Sequence, residues 1–68
     1  MVINKVSNNM KSIRESKGMT QDELANLLSM SRSWIEKVEN GKVEPSLKLA
    51  LRISNVLNVS IEEIFFLN

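Results

Sequence analysis

Arg32, Ser33 and Lys37 are the residues of this 68-residue chain best suited to reading another molecule by hydrogen bonds. An arginine fork can donate twice to guanine O6 and N7, worth about 1–3 kcal/mol of discrimination against another base. A serine hydroxyl donates and accepts, so Ser33 is the weaker reader. Lys37 lies one helical turn beyond Ser33 and can reach a base or a phosphate. Glu36, one turn beyond Arg32, could hold that arginine in place. The plain alternative for Arg32 and Lys37 is a salt-bridged or solvated helix surface.

Other chemistries are thinly supplied. The chain has no histidine and no cysteine. That removes the commonest general base, Ser–His and Cys–His catalysis, disulfides and thiolate metal sites. Carboxylates remain, but no pattern gathers them in a pocket and no glycine-rich loop could cradle a phosphate. Neither an enzyme nor a cofactor or metal is expected. No apolar run approaches the roughly 20 residues needed to span a bilayer. The start lacks a basic segment followed by an apolar one, so a cytoplasmic protein is expected. The net charge of +1 is uninformative as a sum. Its distribution says more: Lys5, Lys11, Arg14 and Lys17 face only Glu15 in the first 18 residues, and the end carries Glu62 and Glu63. A basic front suits a face shown to phosphate, and ordinary solvated charge is the alternative.

The three readers must be positioned by the stretch TQDELANLLSMSRSWIEKVENG, residues 20–41. It reads as two short helices joined by a tight turn. Thr20 and Glu23 can form a capping box, and Met19 and Leu24 a hydrophobic staple across it. Leu24, Ala25, Leu27 and Leu28 give an apolar stripe at helical spacing. Ser29-Met30-Ser31 breaks the run, and Ser31 can cap the second helix. That helix turns Ile35 and Val38 inward and leaves Arg32, Ser33, Glu36 and Lys37 facing out. Gly41 suits a left-handed stop. Ala25 supplies the small side chain that two steeply crossing helices need. This is the arrangement of a helix-turn-helix, whose second helix can enter a major groove.

The rest of the chain supplies the support, and 68 residues make one domain, residues 1–68. Residues 1–6 could form a short strand with Val2 and Val6 on one side, pairing with Phe65-Phe66-Leu67, or could be a frayed tail. Ser7 to Lys17 reads as a helix capped by Ser7, with Met10 and Ile13 inward. Pro45 marks a loop, and Ser46 can cap a helix whose stripe is Leu47, Ala50, Leu51, Ile53, Ser54 and Leu57. Lys48 and Arg52 form an exposed basic pair on it. A last helix opens with a second capping box, Ser60 and Glu63, and a second staple, Val59 and Ile64. Ile61, Ile64 and Phe65 fall on one inward face. Phe66 and Leu67 point elsewhere, and a surplus apolar end on a small domain suggests a dimer interface. Trp34 fits packing better than base reading.

The stretch from Thr20 through PSL resembles the helix-turn-helix of the lambda-repressor-like, XRE-type family of bacterial and phage regulators. IRESKGMTQ before it and LALRISNVLNVSIEEIF after it fit the same family, so the resemblance covers about residues 10–66. Ser29, where the family usually has glycine, and Trp34, where it has a small polar residue, depart from it. The resemblance implies an all-α, five-helix domain, with a short terminal β-ribbon in some very small members. It implies an ion pair between Arg14 and Glu39, with a surface arginine as the alternative. It also implies phosphate contacts from Gln21, Asn40 and Lys42, although Gln21 could merely cap its helix and Asn40 merely shape the turn.

Together these readings lead to a regulator, more readily a repressor than an activator, that binds double-stranded operator DNA as a homodimer. Rival readings are an antitoxin or a restriction–modification controller built on the same domain, and a protein-interaction module without DNA binding. No small-molecule ligand is evident, and no membrane partner is expected.

Overall fold

The computed structural model describes residues 5–68. In chain order these form β1 (Val6–Asn8), α1 (Met10–Ser16), α2 (Gln21–Leu28), α3 (Arg32–Glu39), α4 (Leu47–Leu57), α5 (Ile61–Ile64) and β2 (Phe65–Leu67). This is the five-helix architecture of the lambda-repressor-like class, with an added two-stranded ribbon.

Four helices start where a hydroxyl replaces a missing intrahelical partner. Thr20, Ser31, Ser46 and Ser60 accept from the backbone N–H of Glu23, Trp34, Leu49 and Glu63. At Thr20 and Ser60 the glutamate reaches back to the cap N–H, closing both capping boxes. α3 stops in a Schellman turn: Gly41 adopts φ 73°, and the Lys42 N–H donates to the Lys37 carbonyl at 2.8 Å.

The start of α1 departs from the sequence expectation. Ser7 is not its cap but a residue of β1. Asn8 instead accepts from the Met10 N–H through Oδ1 at 3.0 Å. Its Nδ2 donates to the Val38 carbonyl at 2.9 Å, tying the ribbon to α3. Ser7 is thereby free to pair with Phe66.

The ribbon is antiparallel, with Val6 opposite Leu67 and Asn8 opposite Phe65. Among the described residues its first strand runs over Val6–Asn8, past the end of the expected segment 1–6, and Val2 and Ile3 lie outside the described residues. β2 displaces the end of the expected last helix. The Ile64 carbonyl accepts from the Asn9 N–H at 2.8 Å, and Phe65 is extended at φ −116°, ψ 139°. Phe65 still packs on the core, but from the ribbon.

The core is Met10, Leu24, Ala25, Leu28, Ile35, Val38, Ile53, Leu57 and Ile64. The four staple residues all contribute to it: Leu24 and Ile64 are buried, and Met19 and Val59 pack partly buried against the core. Leu27, Leu47 and Leu51 are exposed, contrary to their place on inward stripes. The contact arcs are narrower than the apolar stripes. Leu24, Ala25 and Leu28 carry α2's, and Ala50, Ile53 and Leu57 carry α4's. Arg52 is another correction. It is half-buried, and its Nη2 donates to the Leu28 carbonyl at 2.9 Å, pinning α4 to the end of α2. Lys48 alone of that pair is exposed.

Candidate nucleic-acid interface

Between α2 and α3, Ser29 takes the left-handed conformation, φ 56°, ψ 40°. The Met30 N–H closes the turn on the Ala25 carbonyl at 2.9 Å. Ala25 is itself buried where α2 meets α3. α3 then divides cleanly: Ile35 and Val38 are fully buried, while Arg32, Ser33, Glu36 and Lys37 are exposed. Trp34 is half-buried and packs against the core, off the exposed face.

A chain of polar contacts supports this face from behind. Arg14 and Glu39 have side chains only 7% and 2% exposed, with Nε 2.7 Å from Oε2. Nη2 adds a second bond to Oε1 at 3.2 Å, and Nη1 donates to the Met19 carbonyl at 2.7 Å. The bond from Glu39 raises the Arg14 pKa above its ordinary value, outweighing the burial that would lower it. Glu39 Oε1 also accepts from Gln21 Nε2 at 3.1 Å. Gln21 Oε1 in turn faces Arg32 Nε at 3.4 Å. So Gln21 joins the first turn of α2 directly to that of α3, and ties both to Arg14 through one buried carboxylate at the end of α3.

Arg14, Gln21, Arg32 and Glu39 are thus brought together in one network. Ser33 and Lys37 share the exposed face of α3 but lie outside it. Asn40 and Lys42 are exposed at the far end of α3, where Asn40 is the helix C-cap. Phe66 and Leu67 lie apart on the ribbon, 41% and 69% exposed.

Two residues with a role here escaped sequence reasoning. Asp22 Oδ2 lies 3.9 Å from Arg32 Nη1. Its signal was its place in the first turn of α2, which a helix-turn-helix sets beside the first turn of α3. Asn8, through its bond to Val38, had no local signal at all. Among the described residues, no cluster of carboxylates could hold a metal ion, and no helix is long and apolar enough to cross a membrane.

The HTH_3 helix-turn-helix family model matches residues 10–64. A Methanocaldococcus jannaschii protein named as an uncharacterized HTH-type transcriptional regulator is 43% identical over 60 residues, covering 88% of this chain and 91% of its own length. A similarly named Archaeoglobus fulgidus protein is 47% identical over 55 residues, 81% of this chain and 78% of that one. Among solved structures, the restriction–modification controller protein C.AhdI from Aeromonas hydrophila superimposes with a TM-score of 0.74 at 31% identity, covering 79% of this chain and 82% of that one. Helix order, the turn at residues 29–31 and these matches place the chain in the HTH_3 helix-turn-helix family of XRE-type DNA-binding transcriptional regulators.

Proposed function

We propose that the chain is a repressor that binds a palindromic operator as a homodimer. The observation that carries this reading is the exposed face of α3. It projects Arg32, Ser33 and Lys37 from a helix whose opposite face is locked into the core by Ile35 and Val38. Arg32 reads a guanine edge, Ser33 a neighbouring base, and Lys37 a base or the adjoining phosphate. Gln21, Asn40 and Lys42 meet phosphates on either side and fix the register. The second amide hydrogen of Gln21 is the one available for that contact, because the first is given to Glu39.

Exposed Phe66 and Leu67 support a two-fold contact through the ribbon. In such a dimer the two α3 helices enter successive major grooves about 34 Å apart. Occupying a promoter is enough to exclude polymerase, which favours repression and places the action in the cytoplasm with the chromosome. The likeness to C.AhdI supports a second reading, control of a restriction–modification gene pair. A nuclease gene adjoining this one would favour that reading. Transcription in vitro from a promoter carrying the bound sequence tests repression directly. Added protein should reduce transcript, and an increase in transcript would make the protein an activator.

A further inference from the structure

We infer that Asp22 and Glu36 are specificity determinants: they hold the Arg32 guanidinium so that it is given up to a guanine edge and not to a phosphate, which suppresses sequence-independent binding. This rests on the base-reading role of Arg32 proposed above.

Three acceptors from two helices surround the Arg32 side chain, which is 60% exposed. Nε lies 3.4 Å from Gln21 Oε1 and 3.7 Å from Glu36 Oε1, and Nη1 lies 3.9 Å from Asp22 Oδ2. Both carboxylate distances exceed hydrogen-bond length. The acids hold the guanidinium by charge and do not close a bidentate pair with it. Two of the three contacts fall on Nε, so the outer Nη1–Nη2 fork can turn to guanine O6 and N7 while Nε keeps Gln21 and Glu36.

Local charge then separates the two targets. Sequence-independent affinity comes from cations that neutralise phosphates and release counterions. One guanidinium between two carboxylates brings no net positive charge to a phosphate. If Arg32 swings out to the backbone, it also leaves both carboxylates unpaired against a polyanion. A guanine edge is uncharged and rewards the fork's geometry instead. The cost therefore falls on the wrong partner. Among the described residues, no carboxylate lies within ion-pair distance of Lys37 or Lys42, which keep their full charge for the backbone.

The test uses Glu36→Gln and Asp22→Asn, singly and together, both at exposed positions and both isosteric, with thermal unfolding checking that each variant is folded. Fluorescence anisotropy across a salt series measures binding to the preferred duplex and to random duplex. Removing both acids together should let Arg32 neutralise one more phosphate, and removing either alone should give part of that change. In the double variant the slope of log affinity against log salt for random DNA steepens by about 0.9, which is about eightfold tighter binding at 0.1 M relative to 1 M salt. The ratio of specific to random affinity should fall. Unchanged slope and ratio in the double variant overturn the inference. Arg32→Ala separates the two levels. If it keeps the wild-type sequence preference, Arg32 is no base reader and both claims fall. If it loses the preference while the double acid variant keeps the wild-type ratio, only this inference falls.

Discussion

The Gln21 amide donates to Glu39 Oε1 across 3.1 Å, so the carboxylate buried against Arg14 also sets which way Gln21 faces. With its nitrogen turned to Glu39, Gln21 presents its oxygen to Arg32. A residue at the base of the domain and a residue on its exposed face are joined through two side chains. Stability and the proposed recognition therefore share a component.

Glu39→Ala should destabilise the protein by about 3–5 kcal/mol, because it strands a buried guanidinium. For a domain this small that is a large part of the total. Replacing both partners, Arg14→Met with Glu39→Leu, should recover much of the loss, since no unpaired charge remains. Urea unfolding of the single and double variants checks both statements. A single-variant cost near zero would show that the pair contributes nothing.

Ser29 holds a left-handed conformation that costs a non-glycine residue about 1–2 kcal/mol. Ser29→Gly removes that strain but adds unfolded-chain freedom of about 0.5–1 kcal/mol. The net expectation is a gain of between about 0 and 1.5 kcal/mol, seen as a Tm higher by a few degrees. A lower Tm would mean that the Ser29 side chain makes a compensating contribution.

The Thr20–Glu23 capping box should give a defined pH dependence. Bonds from the Thr20 backbone N–H and hydroxyl hold the Glu23 carboxyl below its ordinary value. Its contribution is therefore complete above the ordinary carboxylate range and is lost as pH falls through the lowered folded value. Thermal unfolding from pH 7 down to pH 3 should show a smaller acid loss in Glu23→Gln than in the parent. Parallel curves would remove Glu23 from the acid response.

Phe66→Glu should turn the proposed homodimer into a monomer while leaving the fold intact, because Phe66 is exposed opposite Ser7 in the ribbon. Sedimentation velocity reads the change, and circular dichroism checks the helices. A dimer that survives the substitution would place the two-fold contact on another surface.

The four capped helix starts were legible in the sequence because a cap is a local device. Thr20 with Glu23 and Ser60 with Glu63 announce themselves within four residues. What stayed hidden depends on distant partners. Asn8 reaches Val38, 30 residues away, and takes over the start of α1. Phe65 fitted both the end of a helix and a terminal strand, and only its pairing with Asn8 at the other end of the chain decides for the strand. Arg52 looked like surface charge because the carbonyl it binds belongs to α2. Leu47 and Leu51 have helical spacing, but spacing gives a face and not the width of its contact. On α3 the inward pair Ile35 and Val38 was enough to identify the outward residues. The acid at Asp22 emerged only when two first turns were set side by side.

The central claim is that the exposed face of α3 reads a two-fold DNA sequence. Selection from random duplex DNA by the purified protein, with sequencing of what is retained, tests it most directly. The expected result is a palindromic site with half-sites one helical turn apart, and a preference at one base pair of each half-site that Arg32→Ala abolishes. Folded protein that enriches no sequence at low salt would contradict it.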